Sequence, residues 1–420
     1  MEIFILNFVL YLLWFWKDFS KQKCMNVYNF MILIYALFAL AGIIVIDNGI
    51  YRQEISPFNE YNISILPYIL CFISFIMLFR PLKKVDNINI DEYEIFNTKY
   101  TRKLINIWVI LFIIFGIIKL VELKVTSSMG LDEAYYQRHI EGSNIFNYSG
   151  PLRYLNSFII TIQGTSVPLV MFYSMVGIIK KKISAKKSSF LILLCFCPEL
   201  IGDIAKGDRG SIFMTMFCFV FFVLIFWKHL AAKIKRNIIF TMIFLGVCGG
   251  VYFWIISLQR AQSGNYDPLV TLYRYFGEPF PNLGIQIWGN VKYNPNGERI
   301  FSAFYPSHGF ADTNVAVDYW WGKIGVPVYY FKTIFGDFYM EFGTIKALLY
   351  IFGLSISFSY VLTKLRMNFV TLPLLYYYYQ ICVYAFAGWT KSEWGALYQF
   401  ICVVAFLLFA PKFLRKKNNR

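Results

Sequence analysis

Charge is scarce in this chain. Asp, Glu, Lys and Arg make up 15% of its 420 residues, against about 25% in soluble domains. Histidine is nearly missing, with His139, His229 and His308 the only three. There is no P-loop, no GxGxxG, no HExxH and no GxSxG, so an ATPase, a dinucleotide enzyme, a zinc protease and an elbow-type hydrolase lose their usual support. An Asp-x-Asp metal motif and a CxxC knuckle are also missing. Seven of the eight cysteines fall in apolar runs, and Cys24 falls in a loop expected inside. That leaves no external disulfide framework, and cysteine here reads as a small hydrophobe. No internal repeat is visible, whereas a transporter built from matched halves would show one.

Apolar residues are abundant: 58% of the chain is hydrophobic and 20% aromatic. Many apolar runs approach or exceed the length that crosses a hydrocarbon core. They lack the two-residue alternation of a membrane β-barrel. The expected fold is therefore an all-α polytopic membrane protein. Eleven spans are predicted, at 3–16, 28–46, 63–79, 104–122, 154–179, 189–206, 211–227, 238–258, 343–363, 369–388 and 396–410. Met1–Trp16 reads as the first span and not as a signal peptide, because no basic segment precedes it and no small-residue cleavage site follows it.

Basic residues set the expected orientation. With the N-terminus outside, the inner loops are 17–27, 80–103, 180–188, 228–237, 364–368 and 411–420. They carry 25 of the 40 basic residues and 5 of the 24 acids, a balance of +20 against −4 for the rest of the chain. The overall +16 is thus a topology signal that suits anionic lipid, and it gives no reason to expect nucleic acid as a partner. The chain divides into a membrane bundle at 1–258, a large external loop at 259–342 and a second membrane segment at 343–420. The loop, about 84 residues long, exceeds any simple connection and is expected to be functional, with short interfacial helices of its own.

Polar residues concentrate at a few places. Gly207-Asp208-Arg209-Gly210-Ser211 is a tight polar knot between two apolar runs. Unpaired N–H groups and the dipole of the helix that begins there, beside the Arg209 guanidinium, would suit a phosphate-like anion. The same residues also fit a plain helix cap with a structural Arg–Asp pair. In the run leading to the knot, Glu199 and Asp203 are four apart and share a helix face. They either orient Arg209 or bind sugar hydroxyls, and a local charge network with Lys206 is the plainer alternative. The long loop offers Arg260 at the end of a span, Tyr273-Arg274-Tyr275, Glu278, and the segment Tyr305–Asn314 with His308 and Asp312. A histidine and an aspartate there suit acid–base work, and a surface histidine is the plainer alternative. Asp337 and Glu341, again one turn apart, sit where the loop returns to the membrane. Aromatic rings with carboxylates suit sugars, and arginines suit pyrophosphate.

This pattern resembles the Wzy-type oligosaccharide repeat-unit polymerases of bacterial O-antigen and capsule synthesis. The resemblance rests on the many spans, the knot Gly207-Asp208-Arg209-Gly210, the late external loop with Arg274 and His308, and the glycine-rich re-entry Phe335–Gly343. It implies a multi-pass protein of the bacterial cytoplasmic membrane with a GT-C-like fold. It also implies a glycosyl transfer from one undecaprenyl-pyrophosphate-linked glycan to the end of another. The acceptor hydroxyl would attack the anomeric carbon, and undecaprenyl pyrophosphate would leave. Arg209 and Arg274 would hold the pyrophosphate, and His308 would be the base, with a carboxylate, Asp312 or Glu278, as the fallback. Asp208, Arg260, Glu278, Tyr273, Tyr275, Asp203, Glu199 and Asp337 would contact substrate. No cofactor and no metal are expected. Membrane lipids and a chain-length regulator are the expected partners. O-antigen ligases and other polyprenyl-linked sugar transferases share this logic, and a lipid-linked oligosaccharide flippase is the alternative from another class.

Overall fold

The computed structural model describes every residue except 50, 52–62, 88, 130–149, 206–209, 265–267, 302–312, 329–330, 365–367, 390–393 and 416–420. Among the described residues there are helices and turns but no strand. The principal helices, in chain order, are α1 (Glu2–Gln22), α2 (Val27–Asp47), α3 (Leu66–Phe79), α4 (Lys99–Met129), α5 (Gly150–Ile179), α6 (Ala185–Ala205), α7 (Gly210–Phe226), α8 (Ala232–Gly264), α9 (Pro268–Gly277), α10 (Thr313–Ile324), α11 (Thr333–Phe342), α12 (Thr344–Lys364), α13 (Leu372–Tyr384) and α14 (Trp394–Arg415). Among the described residues seven helices are long and apolar enough to cross a membrane: α1, α2, α3 with its extension to Val85, α4, α5, α6 and α12. Met214–His229 and Gly395–Ala410 are shorter apolar helices. The chain is an all-α polytopic membrane protein. Within 259–342 stand the short helices α9, α10 and α11.

Local sequence explains the ends of these elements. The Asn26 side chain accepts a hydrogen bond from the Asn29 N–H at 2.8 Å, which caps the start of α2. Pro67 occupies the first turn of α3, where its missing N–H costs nothing. The exposed faces of the long helices are apolar: Ile107, Ile110 and Ile117 on α4, and Ile345, Leu349 and Phe352 on α12. In water such faces would be a liability, whereas against lipid they are at home.

The chain folds as two compact units, Met1–Lys83 with Ser257–Val361 and Ile381–Glu393, and Lys84–Ile256 with Leu362–Gln380 and Trp394–Arg420. In the first, Tyr11, Tyr35, Phe75 and Phe79 form an aromatic core between α1, α2 and α3, with the Tyr35 and Phe75 ring centroids 4.4 Å apart. A second cluster in this unit, Ile287, Trp320, Ile324, Val326 and Met340, packs α10 against α11 and supports the loop. In the other unit, Phe221 stacks on Tyr379 at 4.4 Å and Phe96 packs on Phe369 at 4.8 Å.

Candidate functional site

Helix α11 is short, and its ends are secured from outside. Its first N–H groups, from Thr333 and Ile334, donate to the carbonyls of Phe386 and Ala385. Thr333 Oγ1 accepts from the Gly336 N–H. Thr333 has φ of 60°, a left-handed conformation that a β-branched residue rarely adopts and that persists only where neighbours fix it. At the other end the Asn294 side chain donates to the carbonyls of Tyr339 (3.2 Å) and Met340 (2.8 Å), and the Asn296 N–H donates to that of Glu341. The orphan carbonyls of the last turn are thereby satisfied.

This clamp brings together a buried charge network. Asp337 and Glu341 lie one turn apart on α11, and the Arg299 guanidinium bridges them. Its Nη2 lies 2.6 Å from Asp337 Oδ1, and its Nε lies 3.1 Å from Glu341 Oε2. Glu341, fully buried, also accepts from the backbone N–H groups of Gly297 (2.8 Å) and Arg299 (3.1 Å). Asp337 accepts from the Trp389 N–H at 2.7 Å and has Lys332 Nζ at 3.6 Å. Gly388 permits that approach: its φ is 128°, and a Cβ there would meet Asp337 Oδ2 at 2.6 Å.

The electrostatics follow from these contacts. Burial pushes the Asp337 carboxyl up, but the charges of Lys332 and Arg299 outweigh it and hold the group below its ordinary value. Burial prevails at Glu341, whose carboxyl stays raised despite Arg299 and two backbone donors. Burial also brings the Lys332 amine down to about 8, with Asp337 opposing that fall. Two carboxylates facing two cations, with their lone pairs already engaged, make a structural clamp and not a free acid–base pair. Sequence reasoning placed Asp337 at substrate; here its bonds run to Arg299, Lys332 and Trp389.

The clamp carries a pH signature. A folded value of about 8 against the ordinary 10.5 means that the folded state releases the Lys332 proton first. The buried charged amine therefore costs stability in full below pH 8, and that cost is relieved as pH climbs to 10.5. Thermal unfolding in detergent between pH 7 and 10.5 should show this relative gain in the wild type, and Lys332→Met should flatten it. An unchanged profile in the variant would place the titration elsewhere.

The second assembly is a polar stripe with a four-residue period: Arg274, Glu278, Asn282 and Gln286. The backbone continues helically through it, with the Glu278 N–H donating to the Arg274 carbonyl and the Asn282 N–H to that of Glu278. It then runs into a π-helical turn, Asn282–Ile287, a geometry found often at functional sites. Arg274 pairs with Glu278, and both side chains are mostly shielded. The Asn282 amide accepts from Tyr51 OH at 2.8 Å and donates to the Phe331 carbonyl at 2.9 Å. Gln286 is fully buried with its amide N–H group beside the Tyr51 hydroxyl, and its amide oxygen is left without a hydrogen bond within the protein. The buried Tyr68 hydroxyl is in the same condition. Burial pushes the Tyr51 hydroxyl well up, so it stays a neutral donor. Tyr273 and Tyr275 do not sandwich Arg274, because helix neighbours point apart. Tyr275 packs on Phe276 and Phe331, and Tyr273 is exposed.

The third assembly lies where α4 meets α6. Lys119 and Glu122, both buried, form an ion pair at 2.8 Å inside an apolar helix. The Lys119 stem crosses Gly202, and Thr126 Oγ1 donates to the Ala205 carbonyl at 2.7 Å. Asp203 is buried on this stretch of α6 and Glu199 is half-buried. Asp208, Arg209, His308 and Asp312 lie outside the described residues, as does the side chain of Arg260. Of the remaining predicted residues, the fold brings Arg274 together with Glu278, and it adds Tyr51, Asn282, Gln286, Arg299, Lys332, Lys119 and Glu122. Lys119-x-x-Glu122 was a readable signal, since charge inside an apolar span marks an interior position. Arg299 carried no local signal, because its partners are 38 and 42 residues away. No protein-family model matches this chain, and no curated protein and no solved structure matches it.

Proposed function

We propose that this chain is a membrane glycosyltransferase that joins lipid-linked oligosaccharide units into a surface polysaccharide. The donor and acceptor are carried on undecaprenyl pyrophosphate at the outer face of the bacterial cytoplasmic membrane. Eleven spans and a GT-C-like arrangement belong to this reading. The observation that carries it is the stripe Arg274–Glu278–Asn282–Gln286. In a loop between membrane helices, it sets a guanidinium, a carboxylate and two amides in line, beside two tyrosine hydroxyls. Buried polar groups left without partners, such as the Gln286 amide oxygen and the Tyr68 hydroxyl, cost about 1–3 kcal/mol each, so they suit a polyhydroxylated ligand that completes their bonds. The guanidinium suits the charge that builds on a departing pyrophosphate. Arg274, released from Glu278 by the anion, would hold it. His308, or Asp312, would take the acceptor proton.

The test is a reconstituted assay with purified protein in liposomes and defined lipid-pyrophosphate-linked repeat units. A ladder of joined units is expected, and Gln286→Leu should shorten it at unchanged protein level. His308→Ala should lower turnover while donor binding persists. Release of free glycan, or no joining at all, would overturn the reading. One observation favours transport instead: the buried Lys119–Glu122 pair, since intramembrane ion pairs often line ion and proton paths. Movement of lipid-linked glycan across the liposome without joining, abolished by Glu122→Gln, would install that reading.

A further inference from the structure

Helix α10 presents rings and a lysine that no step of the proposed reaction uses. Its anchor is Trp320, which is buried and packs with Ile287, Ile324, Val326 and Met340. Lys323, one turn further on, is exposed. Its Nζ lies 4.7 Å from the centroid of the Tyr319 ring, 5.5 Å from that of Tyr293 and 5.6 Å from that of Trp320. A cation this close to aromatic rings is attracted by their quadrupoles, so a long side chain that would otherwise sweep through solvent is held in one place. A hydrogen bond with Tyr319 also holds the Lys323 amine above its ordinary value, and it stays charged. Lys292 joins it at the end of α10, where the Lys292 N–H donates to the Ile324 carbonyl at 2.9 Å. Gly325 has φ of 83°, and a Cβ there would meet Lys292 Cδ at 2.8 Å and Cε at 3.3 Å. The glycine thus supplies both the left-handed turn after α10 and the room for the lysine stem.

Two features say what this surface takes. The first is charge. Neither Lys292 nor Lys323 forms an ion pair among the described residues, and Glu298 acts on Lys323 only from beyond ion-pair distance. Two cations set about one helix end, one of them ordered over rings, leave a positive excess that an anion would neutralise. The second is the character of the surface around them. Among the described residues from 282 to 344, Tyr293, 42% exposed, is the one exposed large hydrophobic. The other exposed positions in that stretch are Lys, Asn, Asp and Gly. A segment that docks on lipid buries an apolar face among the acyl chains, and the described surface here offers none. A sugar needs what is present: a ring on which its C–H face stacks, with polar groups about it. A sugar that carries a carboxylate would meet the ammonium groups as well.

We infer that Lys292, Tyr293 and Lys323 form a docking surface for a glycan chain that carries carboxylated sugars, an inference that rests on the proposed reaction for the source of that glycan. The experiment uses the full-length protein in phosphatidylcholine nanodiscs. The probe is fluorescent tetragalacturonate, and its binding is followed by anisotropy. Unlabelled tetragalacturonate should displace it, and neutral maltotetraose should not. Lys292→Gln together with Lys323→Gln should weaken binding about tenfold, the loss expected when two exposed charge contacts go. Lys323→Arg should hold binding within about twofold, because a guanidinium keeps the charge and stacks on rings. Tyr293→Ala should weaken binding about threefold with both charges intact, a loss that a merely cationic surface would not show. All three side chains are exposed, so the variants should melt like the wild type. Wild-type binding in Tyr293→Ala, or equal displacement by tetraglutamate, would show a general attraction for anions and overturn the inference. Displacement by phosphatidylglycerol added to the nanodisc would show a headgroup site and overturn it too. If repeat units are joined but tetragalacturonate does not bind, the docking surface fails and the function stands. If tetragalacturonate binds selectively but no units are joined, the function fails and the glycan surface stands.

Discussion

Arg299→Ala should unfold the external loop or lower the melting temperature of the protein by roughly 10 °C. The guanidinium bridges Asp337 and Glu341, whose side chains are 5% and 0% exposed. Removing it leaves two buried carboxylates, of which only Asp337 keeps a cation, Lys332. Breaking a buried ion pair by deleting one partner costs about 3–5 kcal/mol, because the remaining charge is neither solvated nor paired. Arg299→Lys should recover only part of the loss, since an ammonium cannot span two carboxylates as the planar fork does. The quadruple change Arg299→Met, Lys332→Met, Asp337→Leu, Glu341→Leu should recover more than Arg299→Ala alone, because it leaves no buried charge at the site and so no desolvation cost. Fluorescence-detected thermal unfolding in detergent measures all three. If Arg299→Ala melts like the wild type, the clamp does not hold the loop.

Much of the fold was legible because membrane helices announce themselves over about 20 residues. The run at 104–122 became Lys99–Met129, and that at 28–46 became Val27–Asp47. Hydropathy fixed the apolar cores of these helices, but their ends depend on caps and on contacts from elsewhere, as at α11. Charge within a helix was also readable. Glu199 with Asp203, Asp337 with Glu341 and Arg274 with Glu278 all follow the four-residue spacing. What the spacing could not give was partner identity across long separations. Arg299 reaches α11 through a turn that Asn294, Asn296 and Gly297 shape, and nothing near it in sequence names its carboxylates. The Arg274–Gln286 stripe was hidden for another reason. Pro279 and Pro281 interrupt the pattern and read as a helix end, yet the backbone passes through them without losing its helical path.

Under the proposed glycosyl transfer, Arg209→Ala should reduce polymer formation by two to three decades or more, and Arg209→Lys should restore little of it. Arg209 lies outside the described residues, between two helices whose facing ends are described. Just before it, α4 holds the end of α6 through Thr126 and the Ala205 carbonyl, and just after it α7 begins at Gly210. The connection itself contains Lys206, Gly207, Asp208 and Arg209. A leaving pyrophosphate gains charge in the transition state, so a preorganised guanidinium there contributes more to rate than to ground-state binding. Truncating a desolvated charged contact of this kind costs about 2–5 kcal/mol, and each 1.36 kcal/mol is a factor of about ten in rate. Lysine keeps the charge but loses the two parallel hydrogen bonds to a phosphate. The measurement is turnover of defined lipid-linked units at matched protein level, with binding of the donor lipid followed separately. Arg209→Ala should lower kcat far more than it weakens donor binding. A normal ladder in both variants would make Arg209 a structural cap for α7 and move the pyrophosphate to another cation.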